Sequence, residues 1–551
     1  MQSRWNDEQA RDIVARAGAR ADLALRVYTS RLLGSDPALV LHGGGNTSVK
    51  LAAPGLLYVK GSGSDLANVQ ESDFATVCLP QVCRLIDLQQ LDNDALAQAV
   101  SRTVAAPGPR PSIETLLHAV LPARFVEHTH ADSILAITNT EHGAAIAAQL
   151  YGDLAPLVPF EPSGFALAKA AHAVFQRQAT PRTIGLILLH HGVFAFGDSA
   201  RESYENMLRL VTIAEDYLQR RDAWSLPEDS QPFAEPDPVA VARLRASMSR
   251  HAGFPLLLRR LDGPQWHAYA RRGDLGELSA EGPATPQHAV FIKREPMLGT
   301  DVQAYAQRYA RYVDAAHPGS TPQELGLDPA PRVVIAPELG VWAAGVNEHY
   351  LGMTMDILRQ DVEIKSRAAA HDRYRGLPSA AILEAEIHYG GFERRLHATG
   401  SPTTDFLGEI VLAWGGGDAL LALLSAFIVR GATVVRLEDM ETRGAADIAA
   451  CLRTVTLRYG GVDVLAGGSG SGGPTDLLLQ VLASAPRGGR LLLTGDPRAR
   501  SDWAAPATAA GVKVVETDLS AEEGIQSAVI ACRAAAGASD RMARTAERVA
   551  T

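Results

Sequence analysis

Two short apolar runs in the first half of the chain end in histidine. Phe125-Val126 leads into Glu127-His128-Thr129-His130, and Ile184 to Leu189 leads into His190-His191-Gly192. Apolar runs of this length, bounded by polar residues and glycine, read as strands. In an extended segment residues i and i+2 face the same side, so His128 and His130 can address a single metal ion. Adjacent residues face opposite ways, so one of His190 and His191 can supply a third imidazole, and spacing alone leaves open which. Taken singly, the pair His128/His130 is weak evidence and reads sooner as surface or hydrogen-bonded histidines than as metal ligands. Taken together, three neutral imidazoles with an open fourth position form the donor set of a catalytic Zn²⁺ site, which Mn²⁺, Fe²⁺ or Co²⁺ would also accept.

Other polar residues of the same region extend this reading. Ser112-Ile113-Glu114 opens a helical pattern with Ser112 as N-cap and Glu114 in the first turn. A carboxylate there complements the helix dipole, but beside three candidate ligands it reads as a general base, with His118 one turn further on the same face to orient it. The loops His42-Gly43-Gly44-Gly45-Asn46-Thr47-Ser48 and Lys60-Gly61-Ser62-Gly63-Ser64 offer backbone N–H groups, hydroxyls and an amide, the parts of an anion nest for phosphate. Neither carries the Gly-Lys-Ser/Thr ending of a P-loop.

With 551 residues, the chain exceeds what one core organises, and two to four domains of roughly 100–200 residues are expected. A helical pattern from Ser199 to Arg221 runs into the Pro- and acid-rich stretch Leu226 to Pro238, which closes a first domain, 1–225. Strand-like runs at Leu56 to Val59, Phe125 to Val126 and Ile184 to Leu189, with helical patterns at Asn6 to Leu33 and Ser112 to Leu121, make it α/β. A second boundary at Ala398 to Asp405 separates a middle region, 226–401, from a third domain, 402–551. Within the middle region Pro331-Arg332 leads to GVWAAG at Gly340 to Gly345, as Pro181-Arg182 leads to GVFAFG at Gly192 to Gly197. Each reads as a strand ending in a tight glycine turn before a helix. The middle region is on this reading a degenerate copy of part of the first, and coincidence in a Gly- and Ala-rich chain is the alternative.

The charge balance narrows the partners. A formal charge of −10 lacks the basic surplus that nucleic-acid binding needs. Met1 to Arg20 has no apolar leader core, and Ala419 to Val429 falls well short of the ~20 apolar residues that span a bilayer. No membrane partner is expected, and the cytoplasm is. Cys78, Cys83, Cys451 and Cys532 are too few to staple a chain of this size and read as reduced thiols.

The ordered set HGGGNTS (42–48), KGSG (60–63), SIETLLH (112–118), HTH (128–130) and HHG (190–192) resembles the class II aldolase/adducin family over about residues 20–225. The order of segments is most similar to the bifunctional aldolase/short-chain dehydrogenase proteins of the rhamnulose-1-phosphate aldolase/alcohol dehydrogenase type. The resemblance implies an α/β/α aldolase-like domain, an α/β middle region and a C-terminal Rossmann-like parallel sheet. It implies His128, His130 and His191 as metal ligands, Glu114 as acid/base, and Asn46, Ser48, Ser62, Gly63 and Ser112 around a substrate phosphate. A serine common before the glutamate is here Ile113, which removes one hydroxyl from that cradle. The implied activity is metal-dependent retro-aldol cleavage of a ketose phosphate. Epimerase or dehydratase chemistry and a non-catalytic, adducin-like scaffold are the alternatives. Relatives suggest a homo-oligomer, a tetramer among the possibilities.

Residues 407–437 resemble the first strand, glycine turn, helix and second strand of a short-chain dehydrogenase, with Trp414, Asp418 and Leu420 where that family carries its fingerprint glycines. GVDVLA at Gly461 to Ala466 leads into GGSGSGG at 467–473, where Asn-Ala-Gly is usual, and no tyrosine follows Tyr459. The Tyr-x-x-x-Lys pair is therefore missing downstream. The expectation is a shortened, inactive dehydrogenase-like domain that binds no NAD.

Overall fold

The segment FVEHT lies in the middle of a seven-stranded sheet. The computed structural model describes residues 1–51, 55–398, 401, 404–414, 418–437, 445–468, 475–494, 497–516 and 522–549. The chain forms two compact units. The first comprises Met1–Pro227, Ala280–Ala289 and Arg359–Ala381, and the second Glu228–Ser279, Val290–Leu358 and Ile382–Thr551. The middle region is thus shared: two of its pieces complete the histidine-bearing unit.

In the first unit the strands are β1 (Asn46–Leu51), β2 (Leu56–Lys60), β3 (Phe74–Cys78), β4 (Phe125–Thr129), β5 (Leu157–Val158), β6 (Gly185–Leu188) and β7 (Gly192–Gly197), in the order β3-β2-β1-β4-β7-β6-β5. Every residue of β4 is buried, because both sheet faces are covered by helices. Val126 packs with Leu116, Leu117, Phe165 and Leu186 on one face. On the other, Phe125 joins Leu23 and Val27, and Glu127 is ion-paired with Arg26 and accepts a hydrogen bond from Ser203 at 3.0 Å. The result is an α/β/α sandwich whose central strand alternates its side chains between two helical layers. The helical pattern 6–33 is broken in two, Asp7–Ala17 and Ala21–Gly34, because Gly18 takes φ +53° and its N–H caps the Val14 carbonyl. The Ser199–Arg221 pattern is one helix, Ala200–Arg220, capped by the Ser199 side chain on the Glu202 N–H.

The second unit holds β8 (Leu257–Leu261), β9 (Met297–Leu298), β10 (Val333–Ala336) and β11 (Gly340–Gly345), in the order β8-β11-β10-β9. This repeats the arrangement β4-β7-β6-β5. In both sheets the first two pairings are antiparallel and the last is parallel. The hairpin registers correspond, Leu186 opposite Phe194 and Val334 opposite Trp342. Each hairpin runs on into a long helix, Ala200–Arg220 or Glu348–His371. The two glycine-bounded hexapeptides are themselves strands; the tight turns lie before them, at 189–191 and 337–339. By register, His128 opposite Phe194 corresponds to Arg260 opposite Trp342, and Leu339 stands before Gly340 as His191 stands before Gly192. The second sheet shares the strand plan, with Arg260 and Leu339 at the places that His128 and His191 take in the first.

The remaining strands are β12 (Ile410–Trp414), β13 (Thr433–Leu437), β14 (Val464–Gly468), β15 (Arg490–Thr494) and β16 (Lys513–Glu516). They form an all-parallel sheet in the order β13-β12-β14-β15-β16. Near-continuous apolar runs such as IVLAW suit strands covered on both faces. Residues 469–473 of the GGSGSGG stretch, and residues 415–417 after Trp414, lie outside the described residues. Among those described, no helix is long and apolar enough to cross a membrane.

Candidate metal centre

Two segments of the first unit deliver three imidazoles toward a common point. His128 sits on β4, His130 just beyond its end, and His191 in the turn between β6 and β7. That turn is made by His190 at φ +57°, a left-handed conformation, which swings His191 rather than His190 toward the other two. His190 instead sets its ring edge-on to Phe160. One donor nitrogen from each of His128, His130 and His191 falls within 4.8 Å of the others, and all three residues are buried.

The hydrogen bonds fix what these nitrogens offer. His128 Nδ1 donates to the Val193 carbonyl at 3.0 Å, and His130 Nδ1 donates to Gln287 Oε1 at 2.9 Å. With both protons on Nδ1, the two Nε2 atoms meet as lone pairs 3.2 Å apart. Two bare lone pairs repel at that distance unless a cation lies between them, and two nitrogens each about 2.0–2.1 Å from a tetrahedral zinc lie about 3.3 Å apart. Burial pushes His128 down to about 4, against the pull of Glu114, and holds His130 well below the usual imidazole range. Neutral imidazoles are the form a divalent metal takes. The residues present fit such an ion.

Beside the imidazoles stands Glu114, with Oε1 3.2 Å from His191 Nε2 and Oε2 3.7 Å from His128 Nε2. Burial by itself would raise this carboxyl; His128, His191 and the Asn46 amide outweigh it and hold it well below the usual range. A hydrogen-bonded chain keeps it in place. Asn46 Nδ2 donates to Glu114 Oε2 at 2.6 Å, Asn46 Oδ1 accepts from His118 Nε2, and His118 Nδ1 accepts from the Ser48 hydroxyl at 2.8 Å. Burial holds His118 neutral, which this chain requires, since one ring nitrogen donates and the other accepts. Asn46 is placed by strand pairing, directly opposite His128 on β1.

Ser112 lies within 3.2 Å of Asn46 Nδ2 and also accepts the Glu114 N–H. The helix itself begins at Thr115, two residues later than an N-cap at Ser112 would start it, so Glu114 stands at the N-cap position and not inside the first turn. Ser62 and Gly63 are exposed on the second glycine loop. Lys60 joins that loop to the first, its Nζ donating to the carbonyls of Gly43 at 3.1 Å and Ser64. The N–H groups of Gly44, Gly61 and Ser62 are engaged by the carbonyls of Leu41, Asp73 and Arg110. Lys60 and Gln287 were not singled out from sequence. For Lys60 a signal existed, a lysine closing an apolar strand before a glycine loop; Gln287 had none.

Two family models match in tandem: "Class II Aldolase and Adducin N-terminal domain" over residues 24–218 and "Aldolase class II, second domain" over 236–395. A solved structure, the N-terminal class II aldolase domain of a conserved protein from Thermoplasma acidophilum, is 35% identical, covering 40% of this chain and 99% of that one with a TM-score of 0.35. The chain belongs to the class II aldolase/adducin family. Members of this family generally depend on a divalent metal, in keeping with the three histidines. An uncharacterized oxidoreductase of Bacillus subtilis (strain 168), YuxG, is 27% identical over 463 residues, 77% of this chain. The match spans 65% of that protein's length, and the likeness supports an aldolase domain joined to a dehydrogenase-like region. A methylthioribulose-1-phosphate dehydratase of Sodalis glossinidius (strain morsitans) is 26% identical over 181 residues, 30% of this chain and 80% of that protein.

Proposed function

We propose that the chain is a lyase that cleaves a ketose phosphate by retro-aldol chemistry at His128, His130, His191 and Glu114. The observation that carries this reading is the convergence of three buried imidazoles beside a hydrogen-bonded carboxylate held well below its usual range. A divalent ion bound there, Zn²⁺ or a first-row relative, supplies a Lewis acid that stabilises the negative charge developing on the retained fragment. Glu114 is the acid/base: in the aldol direction its carboxylate takes the proton from the carbon that becomes the nucleophile, and in cleavage it returns that proton. Asn46, fixed by His118 and Ser48, aims the carboxylate. Ser112, Ser62 and Gly63 line the way toward the glycine loops, where the phosphate is held close to Lys60.

The test is a panel of ketose 1-phosphates incubated with chelator-stripped and metal-reloaded protein, scoring dihydroxyacetone phosphate and the released aldehyde. Metal-dependent cleavage of one of them is expected. A second reading, dehydration of a sugar phosphate, draws on the likeness to the dehydratase; loss of water without carbon–carbon cleavage would replace the aldolase reading with it.

The parallel sheet 410–516 is on this proposal without a dehydrogenase function. Trp414, at the carboxyl end of β12, stacks on Trp503 at 5.1 Å, and a Cβ added at Gly467 on the neighbouring β14 would fall 2.4 Å from the Trp414 ring. The indole therefore fills the crevice at the switch between β12 and β14, where a dinucleotide binds in open parallel sheets. Titration followed by nicotinamide fluorescence should show no saturable NADH binding in the micromolar range, and saturation there would overturn the inference.

A further inference from the structure

We infer that Gln287 is a positioning residue of the metal centre, one that sets the tautomer of His130; the inference rests on the metal-site reading above. Gln287 lies on the helix Pro286–Ile292, in the segment Ala280–Ala289 that completes the first unit. Its amide is held at both ends. Nε2 donates to the Leu41 carbonyl at 2.9 Å, and Oε1 accepts from His130 Nδ1 at 2.9 Å.

The Leu41 anchor gives the amide a direction. Turned over, it would set its oxygen against the Leu41 carbonyl oxygen and its NH₂ toward His130 Nδ1. That nitrogen would then have to accept, and the ring proton would move to Nε2. There, on a nitrogen 3.2 Å from His128 Nε2, it would remove the lone pair a metal needs. Held as it is, the amide keeps the proton on Nδ1 and Nε2 free, the part a carboxylate or carbonyl plays behind many metal-bound histidines. The backbone leaves room for it: a Cβ at Gly44 would fall 2.3 Å from Gln287 Oε1. The His130 N–H, in turn, donates to the Leu39 carbonyl at 2.9 Å, so residues 39–44 hold the ligand's backbone, the orienting amide and the gap between them. His128 has its own orienter, the Val193 carbonyl, while His191 Nδ1 is buried with no hydrogen-bond partner among the described residues. Gln287 is thus the side chain that tunes the ligand set from outside it.

The experiment measures zinc affinity of the full chain by competition with a chromophoric chelator, together with the visible spectrum of the Co²⁺-loaded protein, for the parent, Gln287→Met, Gln287→Glu and His130→Ala. Gln287→Met keeps the side chain's size but has no acceptor for Nδ1. It should bind zinc about 10–100-fold more weakly with a shifted Co²⁺ spectrum, while the melting temperature of the metal-free protein stays near the parent's. Gln287→Glu retains an acceptor and should recover most of that loss. Parental affinity and spectrum in Gln287→Met, with His130→Ala unable to bind, would overturn the role of Gln287 and leave the metal site standing. Equal, negligible affinity in the parent and in His130→Ala would overturn both.

Discussion

Glu114 faces two demands that its surroundings meet together: it must be a carboxylate at neutral pH, and it must be aimed. The His128 and His191 imidazoles and the Asn46 amide serve the first against the cost of burial; the chain Ser48–His118–Asn46 serves the second. Glu114→Gln keeps the shape and removes the proton acceptor. Turnover should fall by about 10²–10⁴-fold, with metal content by elemental analysis unchanged. A near-parental rate would place the base elsewhere. The residues that make this site were unequally legible. His128 and His130 follow from two-residue alternation and Glu114 from a helix start, because both signals are local. The family resemblance implies Asn46 and Ser48 as phosphate contacts, and both sit at the end of a glycine-rich loop. Their partners Glu114 and His118 lie 68 and 70 residues away, on another element, and nothing local encodes such a pairing.

Among the elements, the β6–β7 hairpin carries the most delicate geometry. Gly192 opens β7 against the end of β4, and a Cβ there would fall 2.3 Å from the Thr129 carbonyl oxygen and 3.2 Å from the His130 Cα. Neither atom is the free end of a flexible side chain, so Gly192→Ala has to push two ligand-bearing segments apart. We expect a loss of about 1–3 kcal/mol in stability, typical of overpacking, with weakened zinc binding, both read on the same sample by thermal denaturation with and without metal. Unchanged affinity would show that the ligands adjust independently of this contact. Element boundaries were legible where caps and periodicity agree, as for the helix behind Ser199 and the strand Leu56–Lys60. They were not where a backbone torsion decides: Gly18 splits a helical pattern that reads as unbroken, and the left-handed His190 moves the turn ahead of the hexapeptide rather than into it.

For the whole molecule, the sequence suggests a division at about 402, where low-periodicity text separates two patterns. The second unit nevertheless includes residues on both sides of that point, and a buried ion pair explains part of this. Arg245, on the helix Pro238–Ala252, meets Asp463 at 2.7 and 3.2 Å and donates to the carbonyls of Leu256 and Gly408. Asp463 Oδ2 also accepts the Ile410 N–H at 2.7 Å, at the start of β12. One guanidinium thus joins the first helix of the unit to the starts of two strands of its parallel sheet, 163 and 218 residues away in sequence, and a composition shift carries no trace of it. Both groups are buried, 1% and 0% exposed at the side chain, so removing one leaves an uncompensated charge out of water. Asp463→Ala should cost about 3–5 kcal/mol, seen as an earlier thermal transition. Zinc affinity should stay parental, because the three histidines belong to the other unit. The paired change Arg245→Met with Asp463→Leu should recover much of the loss, since it removes both charges and leaves apolar surface in their place. A transition unmoved in Asp463→Ala would mean that the parallel sheet is held to that helix by apolar contact alone.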